Sequence, residues 1–379
     1  MTTGIIAEFN PLHKGHEALI KFAKKNSGAC VVVLSSNFTQ RGSPSIIDKF
    51  FRAFSAVKAG ADLVIELPFL FACSAGQDFA RGGVDLLAKT NFITHIAFGM
   101  EDPDFNFKAL LNFQSREDYK NFLRRELDLG ASFTKAHALA LEKIFPGSKD
   151  FLTRPNNLLG LSYLNEIEKN NLKILPLILK REGPFKSKDI RENLFAPDSL
   201  LSMPEYSREI LSQASRAGRI SNEKNLWPLL QNIFIRSSAN DLKKIYGVDE
   251  GIENLFLKHW KKSSSLEDFI GRCVCARYTR AHIRRRLIYI LLGLERFEMI
   301  GALRNGVPYA RVLAFNSTGR KILKDHSKNS PIKFITSLSR VDSPLEKFFA
   351  RVEFQASQLY ELLVKNPDMT REVNTVLQF

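Results

Sequence analysis

The sequence predicts an α/β protein in which a Rossmann-like, doubly wound parallel sheet is followed by a mostly helical, basic domain. Short apolar runs alternate with amphipathic segments through the first half of the chain, as a parallel sheet with helices on both faces requires. Each apolar run has the length of one buried strand. The second half is rich in Leu, Ile, Lys and Arg in patterns that favour helices.

Buried strands are expected where the apolar runs lie. They are residues 4–8, 29–34, 63–67 and 95–98, with a last strand at 173–179. Between them, apolar residues at three- and four-residue spacing predict crossover helices. These helices are 17–25, 47–59, 77–89 and 157–168, and the stretch 104–145 is expected to be mostly helical.

At 379 residues the chain exceeds the usual size of one hydrophobic core, so two compact units are expected. The first is residues 1–196 and the second is residues 204–379. Prolines and serines at Pro197, Ser199, Ser202 and Pro204 predict a linker between them. Within the second unit, the apolar run 308–315 has the character of a strand.

The charge balance is strongly positive: 55 Lys and Arg against 40 Asp and Glu give a net charge of +15. Such a charge attracts polyanions such as RNA, and it also suits an anionic membrane surface. Compositional drift with no ligand at all would give the same balance.

Membrane insertion and secretion are not expected. The longest apolar stretch, residues 63–75, is interrupted by Glu66 and Pro68 and is too short to cross a bilayer. Glu8 lies where a signal peptide would be uninterruptedly apolar. We therefore expect a cytoplasmic protein.

The four cysteines are too few and too scattered for a disulfide framework, so reduced thiols are expected. Cys273 and Cys275 lack the spacing of a zinc site, and we interpret both as buried small residues on a helix. The sequence predicts no metal site built from protein ligands alone.

A turn with two histidines follows the first predicted strand and leads directly into the first helix. Asn10 and Pro11 end the strand, and Gly15 allows close approach of a phosphate to the backbone. The helix start near His16 presents unpaired N–H groups and a positive dipole end. His13 and His16 can donate hydrogen bonds to phosphate oxygens; two histidines that only cap or pack locally are the alternative.

Two further polar positions adjoin predicted strands. Residues 40–44 form a polar loop with one cation, Arg41, suited to a substrate carboxylate or phosphate. Glu66 ends an apolar strand, where an unpaired carboxylate would be costly, so Arg41 or Lys49 is expected to pair with it. A structural ion pair is as compatible with Glu66 as a role in a reaction.

The histidine turn resembles the His-x-Gly-His signature of the nucleotidyltransferase and class I aminoacyl-tRNA synthetase superfamily. Additional blocks resemble one family within it, the bacterial tRNA(Met) cytidine acetate ligases. These blocks are residues 8–16, 37–44, 62–68, 98–101 and 154–160, and in the second half 277–279 and 308–311. The resemblance therefore extends over most of the chain.

The resemblance implies a two-step reaction. Acetate attacks the α-phosphorus of ATP to give acetyl-adenylate and pyrophosphate, and the exocyclic amine of the wobble cytidine of elongator tRNA(Met) then takes the acetyl group. ATP and, with it, Mg²⁺ are the expected cofactors, because the leaving pyrophosphate must be neutralised. His13 and His16 are the implied catalytic residues.

The resemblance also implies an ATP site on the first turn and at three later positions. Its residues are Ile6, Ala7, Glu8, Phe9, Asn10, Pro11, Leu12, His13, Lys14, Gly15, His16, Glu17, Ala18, Leu19, Gly99, Asn156 and Arg181. Gly99 would admit the adenine against bare backbone, Asn156 would bind adenine or ribose, and Arg181 would hold phosphates. A turn-forming Asn156 and a solvated Arg181 are the alternatives.

The sequence departs from the superfamily pattern at two places. A second phosphate-binding element survives only as Ser187-Lys188-Asp189-Ile190-Arg191, in which Ser187, Lys188 and Arg191 would hold the triphosphate. Met100 stands where the family more often has a small residue.

A cluster of basic residues in the second half predicts RNA binding. Arg277, Arg280 and Arg284 recur at a spacing that places them on one face of a helix, and Trp260 and Tyr278 would offer stacking surfaces. A solvated helix face is the alternative. With the resemblance, tRNA is the expected partner.

Two other functions remain open at this point. One is a small-molecule adenylyltransferase acting on a phosphorylated cofactor precursor, although such enzymes need no large basic domain. The other is a non-catalytic RNA-binding protein, which would bind tRNA without regard to ATP.

Overall fold

Eight strands form one sheet in the part of the chain that the structure describes. The structure is a computed structural model, and it describes residues 1–107, 109–110, 116–181, 187–374 and 377–378. The strands are β1 (Thr2–Ala7), β2 (Ala29–Ser35), β3 (Leu63–Leu67), β4 (His95–Met100), β5 (Leu175–Lys180), β6 (Tyr309–Phe315), β7 (Lys333–Ile335) and β8 (Leu377–Gln378). Their order is β5-β4-β1-β2-β3-β6-β7, and β8 pairs with β6.

The first five strands are parallel, as the apolar runs predict. Alternate residues of β2 enter different cores: Val31 and Val33 pack on one face of the sheet, and Val32 and Leu34 pack on the other. Both faces are therefore covered, which is why the strand sequences are continuously apolar. The five predicted strand positions are confirmed.

Helices cover both faces and form most of the second half. In the first half they are Lys14–Ser27, Lys49–Lys58, Phe69–Ala72, Gly76–Lys89, Glu117–Asp128, Phe133–Ile144, Ser148–Thr153, Pro155–Lys169 and Ser187–Glu192. In the second they are Pro197–Leu201, Glu205–Arg216, Leu226–Arg236, Ala239–Lys243, Ile252–His259, Leu266–Cys273, Arg280–Leu292, Arg296–Asn305, Ser317–His326, Pro344–Glu361 and Arg371–Asn374. The predicted crossover helices are confirmed; of the predicted helical stretch 104–145, residue 108 and residues 111–115 lie outside the described residues.

The residues predicted to form a linker, 197–204, are not an irregular connection between two units. Residues Pro197–Leu201 form a helix, with Pro197 at a first-turn position where its missing N–H costs nothing. The next residue, Ser202, accepts a hydrogen bond at 3.0 Å through its carbonyl oxygen from the N–H of Lys14. This stretch therefore packs against the start of the first long helix instead of spanning open solvent.

The second half also supplies strands to the sheet. The predicted strand at 308–315 is confirmed as β6, which pairs antiparallel with β3, and β7 and β8 pair parallel with β6. The sheet thus draws strands from both sides of the predicted division at residues 196 and 204. The assignment of separate roles to the two units stays a prediction.

A buried ion cluster fastens the second half to the sheet. The Lys49 ammonium contacts carboxylates of Glu66, Glu353 at 2.8 Å and Glu372 at 2.6 Å, and the Arg311 guanidinium contacts Glu66 at 3.2 Å and also Glu372. All five side chains are buried. The sequence predicted Lys49 or Arg41 as the partner of Glu66. Lys49 is a partner of Glu66, and the alternative, Arg41, is wrong.

The cluster holds three carboxyl groups against two cations. Burial and the neighbouring charge of Glu66 raise the pKa of Glu353 to about 8, so Glu353 keeps a proton at neutral pH. The three carboxyl groups lie close enough together to suggest a metal site. The ammonium of Lys49 contacts all three of these carboxyl groups.

Among the described residues, no helix combines the length and the apolar character needed to cross a membrane.

Replacement of Lys49 by methionine is expected to destabilise the fold by about 3–5 kcal/mol, because it leaves the buried carboxylates of Glu66 and Glu372 with Arg311 as their single cation. Urea unfolding of Lys49→Met measures this loss. Lys21→Met is the control, because Lys21 pairs with Glu17 on the surface and should change stability little. Equal effects of the two substitutions would contradict the account.

Glu353 should also make stability depend on pH. Its pKa is raised from 4.5 to about 8 on folding, so its stabilising proton is fully present below pH 4.5 and is lost as the pH rises towards 8. The free energy of unfolding should fall over this range, and Glu353→Gln should flatten the fall. Urea titrations at several pH values test this; identical pH slopes in both proteins would refute it.

Candidate active site

The site lies where the strand order of the sheet reverses. β1 lies between β4 and β2, so the connections after β1 and β4 leave in opposite directions and open a crevice at their carboxyl ends. The histidine turn follows β1, and Gly99 is the second-to-last residue of β4. The topology therefore brings together two segments that are separated by some 80 residues in sequence.

The histidine turn is fixed by two hydrogen bonds from backbone to imidazole. His13 is the N-cap of helix Lys14–Ser27, and its Nδ1 accepts a hydrogen bond from the N–H of Gly15 at 3.1 Å. The N–H of His13 in turn donates to Nδ1 of His16 at 3.3 Å. The two histidines thus form a reciprocal capping box, a role usually taken by Ser or Thr with Glu or Gln.

These bonds determine which ring nitrogen carries the proton. Because Nδ1 of each ring accepts from an N–H group, a neutral ring must carry its proton on Nε2. Burial and the charges of Arg181 and Arg191 lower the pKa of His13 to about 4. Burial, His13 and Arg181 lower the pKa of His16 as well. Both rings are therefore neutral Nε2–H donors near pH 7.

The two rings stack on each other with centroids 3.6 Å apart, and the Phe9 ring lies 5.0 Å from His16. His13 is only 1% exposed, whereas His16 is half-buried. A Cβ on Gly15 would lie 3.1 Å from the His13 ring. Gly15 therefore serves the packing of His13, in addition to the phosphate approach expected from the sequence.

The implied residues Gly99, Asn156 and Arg181 lie together at the end of β4. The Asn156 Oδ1 accepts a hydrogen bond from Arg181 Nη1 at 3.3 Å, and the Asn156 Nδ2 donates to Glu101 at 2.6 Å. A Cβ on Gly99 would lie 3.0 Å from Cγ of Arg181. The bare backbone of Gly99 thus accommodates the stem of Arg181, and the expected contact with adenine stays a prediction.

Glu101 and Asn157 support this group and were not singled out from the sequence. The Asn157 Oδ1 accepts from the N–H groups of Glu101 and Asp102, and Glu101 accepts from the N–H of Asn157 at 3.0 Å. The departure at Met100 has a structural explanation: its side chain is buried against Gly160, where a Cβ would lie 2.9 Å from Cγ of Met100.

The partial element at 187–191 reaches the site through one residue. Arg191, in helix Ser187–Glu192, donates to the carbonyl oxygen of Asn10 at 2.9 Å. Lys188 instead forms an exposed pair with Glu192 at 3.6 Å. Arg191 is therefore a candidate phosphate ligand, and Lys188 faces away into a surface ion pair.

The remaining implied residues divide into four groups. Ile6 and Ala7 end β1, and Asn10 fixes the loop before the second helix by accepting from the N–H of Ile46 at 2.8 Å. Pro11 and Leu12 are buried behind the turn. On the first turns of the helix, Lys14 and Ala18 are exposed, and Glu17 and Leu19 are partly buried.

Glu8 projects from the end of β1 into the same region. Its Oε1 accepts from the N–H of Gln40 at 2.7 Å, and its carbonyl oxygen accepts from buried Arg52 at 2.7 Å. The loop at 40–44 is therefore attached directly to the start of the histidine turn. The polar composition of that loop was the only signal of this connection in the sequence.

The basic residues of the second half do not lie on one helix face. The helix begins at Arg280 after the N-cap Thr279, so Arg277 precedes it, and that part of the prediction is wrong. Arg280 and Arg284 both pair with Glu267, and Arg284 also pairs with Glu223. The pair of Arg277 with Glu250 spans 3.7 Å.

Two smaller expectations for this region are also corrected. Cys273 is buried at the end of its helix, but Cys275 lies beyond the helix and is exposed. Tyr278 is only 8% exposed and donates to the Glu250 carbonyl oxygen, so it offers no stacking surface. Trp260 is partly buried and packs near Phe234.

Comparison with known proteins agrees with this geometry. A family model described as HIGH Nucleotidyl Transferase matches residues 1–374. A Clostridium perfringens protein named tRNA(Met) cytidine acetate ligase is 33% identical over 97% of this chain and 96% of its own length. The protein of that name from Caldanaerobacter subterraneus is 34% identical over 96% and 95%.

Two solved structures from Thermotoga maritima have the same fold over the whole chain. One is TmcAL bound with alpha-thio ATP, with a TM-score of 0.89, 27% identity and full coverage of both chains. The other is the apo form, with a TM-score of 0.90, 26% identity, and coverage of 100% of this chain and 99% of that chain.

Ring NMR of selectively labelled histidine should find His13 neutral and protonated on Nε2 from pH 8 down to about pH 5. Its pKa is lowered from 6.5 to about 4 in the folded protein. The unfolded chain therefore takes up the proton first, and the free energy of unfolding falls as the pH drops from 6.5 towards 4. His13→Asn should weaken this dependence, and His16, whose pKa burial also lowers, should account for part of what remains. A His13 ring that titrates near 6.5 would contradict the proposed hydrogen-bonding pattern.

Proposed function

The chain belongs to the HIGH nucleotidyltransferase family and, within it, to the tRNA(Met) cytidine acetate ligases; on this premise we propose that it activates acetate with ATP and acetylates the wobble cytidine of elongator tRNA(Met). The observation that supports this most strongly is the histidine turn. It aligns two neutral Nε2–H donors at the switch point of the sheet, next to Arg181 and Arg191.

The residues present fit an ATP molecule. A triphosphate needs donors and positive charge, and the site supplies imidazole N–H groups, two arginines and a helix N-terminus within one crevice. In this proposal His13 and His16 donate hydrogen bonds to oxygens of the α-phosphate, whose phosphorus reacts. Arg181 and Arg191 hold the β- and γ-phosphates, and Gly99 and Asn156 border the adenosine.

In the first step, an oxygen of acetate attacks the α-phosphorus of ATP. A new phosphorus–oxygen bond forms, the bond to the β-phosphate oxygen breaks, and acetyl-adenylate and pyrophosphate result. No proton has to move, because acetate enters as an anion. The chain's part is therefore electrostatic: neutral imidazole donors stabilise charge on the phosphate oxygens without repelling the arginines.

Magnesium fits this arrangement as a partner of the phosphates. The acids next to the turn are Glu8, which accepts from Gln40, and Glu101, which holds Asn156 and Asn157. Each of these two carboxylates accepts hydrogen bonds from a different set of protein donors, and the two do not form a joint binding site for a cation. Phosphate oxygens would hold most of the ion, which would supply charge neutralisation on the leaving pyrophosphate.

In the second step, the exocyclic nitrogen of the cytidine attacks the acetyl carbonyl carbon. A carbon–nitrogen bond forms, the carbon–oxygen bond to AMP breaks, and the amine releases one proton. The base must leave the RNA stack to reach the crevice, which is easiest for an unpaired anticodon nucleotide. We assign tRNA binding to residues 204–379, where Lys and Arg outnumber Asp and Glu, and place the reaction in the cytoplasm.

Exchange of radiolabelled pyrophosphate into ATP, dependent on acetate, tests the first step alone. His16→Ala should reduce this exchange by about 10²–10³-fold, because it removes one donor to the charge that develops on the phosphate. Binding of tRNA should not change, since His16 lies at the nucleotide turn.

The control is His326→Ala, which removes an exposed histidine at the end of helix Ser317–His326. Labelled acetate with elongator tRNA(Met) then tests the second step. Full exchange activity in His16→Ala would refute the role of the turn. Exchange with intact acetyl-adenylate but no label in RNA would refute the tRNA step and favour a small-molecule adenylyltransferase.

A further inference from the structure

The loop after β2 folds into a tight hairpin that spans Thr39 to Ser43. The N–H of Thr39 donates to the Ser43 carbonyl oxygen, and the N–H of Gly42 donates to the Thr39 carbonyl oxygen, both at 2.9 Å. Gly42 has a φ of 79°, a backbone conformation that residues other than glycine rarely adopt. We call residues 39–43 the rim hairpin.

The rim hairpin is fixed from both halves of the chain. The N–H of Gln40 donates to Glu8 at 2.7 Å, and the Gln40 carbonyl oxygen accepts from Arg285 at 3.0 Å. Arg284 donates to the Ser43 hydroxyl at 2.7 Å. A Cβ on Gly42 would lie 2.4 Å from the backbone nitrogen of Arg285. The backbone on either side of Arg41 is therefore held in place before any substrate binds.

Arg41 itself is exposed, and within the described ranges no side chain pairs with its guanidinium. It lies close to the histidine turn, because its neighbour Gln40 donates to Glu8 at 2.7 Å. Burial and the charge of Arg41 both lower the pKa of Arg191. Arg191 in turn contacts the carbonyl oxygen of Asn10, three residues before His13. An unpaired cation thus borders the crevice on the side of the basic second half.

The other arginines between this point and helix Arg280–Leu292 are already engaged. Arg284 is only 16% exposed and contacts two carboxylates, and Arg280 shares one of them. Arg285 is buried and contacts Gln40. These arginines support the rim hairpin, whereas Arg41 has its charge available for a ligand.

We infer that Arg41 binds a backbone phosphate of the RNA next to the nucleotide that enters the crevice, and so positions that nucleotide for acetyl transfer. This inference rests on the proposed function. An RNA strand that reaches the site from the basic half must pass the rim hairpin, and an exposed guanidinium on a rigid turn matches a phosphate. Arg41 acts as a positioning residue and contacts no reacting atom.

The alternative ligand is the carboxylate of the acid being activated. Activated acyl groups are hydrolysed readily, so the acid has to bind where water is excluded. Arg41 is exposed at the rim, whereas His13 and its neighbours are buried. Exposure therefore favours a polymeric anion, which itself covers the rim, over a small carboxylate.

Arg41→Ala, Arg41→Lys and the control Arg340→Ala test this inference. Arg340 is exposed and follows β7. In the sheet, β7 is four strands away from β1, which corresponds to a distance of about 19 Å between these two strands. Its removal changes the net charge equally. Acetate-dependent pyrophosphate exchange measures adenylate formation, and acetylation of tRNA at several salt concentrations measures the RNA step.

Arg41→Ala should leave exchange unchanged and raise the KM for tRNA about five- to tenfold at low salt. The slope of log affinity for tRNA against log salt should fall by about one phosphate contact. Arg41→Lys should restore part of the affinity, and Arg340→Ala should match the unaltered protein.

A raised KM for acetate in the exchange reaction of Arg41→Ala would overturn the inference in favour of carboxylate binding. Equal tRNA affinity and salt slope in Arg41→Ala and Arg340→Ala would overturn it outright. If the unaltered protein showed no exchange at all, the proposed function would fail. Filter binding of tRNA to the same variants would then still decide whether Arg41 contacts RNA.

Discussion

Two hydrogen bonds from backbone N–H groups to imidazole Nδ1 atoms are the constraint on which the site depends. They orient His13 and His16, and they leave the proton of each neutral ring on Nε2. Burial and the nearby arginines favour the same neutral state. A doubly protonated imidazole would lose its acceptor, break the capping box and repel Arg181. The same two hydrogen bonds therefore cap the first helix and set the protonation state of the two imidazole rings.

The sheet then brings together the residues of the site that are distant in the sequence. The order β5-β4-β1-β2-β3 places the end of β1 beside the end of β4, so Asn156 and Arg181 join a turn that lies about 140 and about 165 residues earlier in the sequence. The buried cluster around Lys49 then attaches the second half to the same sheet. Because Glu353 and Glu372 belong to the C-terminal part, the two halves share charges that neither can bury alone.

Local patterns in the sequence predicted much of this arrangement. Apolar runs were sufficient for the parallel strands, and the spacing around Gly15 was sufficient for the histidine turn. Long-range pairing was not predictable in the same way. Nothing in the local sequence indicates that Lys49 contacts both Glu66 and Glu372, that Arg191 reaches Asn10, or that β6 continues the sheet beside β3. The linker was misjudged because proline and serine also begin helices. Helical spacing misplaced Arg277, since the helix begins only after Thr279.

The central claim is that the Nε2–H groups of the histidine turn bind the phosphates of ATP. A crystal structure with an ATP analogue that resists cleavage between the α- and β-phosphates tests this directly. The account predicts that Nε2 of His16 lies about 2.7–3.2 Å from a phosphate oxygen, with Arg181 or Arg191 on the outer phosphates. Triphosphate density away from the end of β1, with both rings unchanged and out of reach, would contradict it.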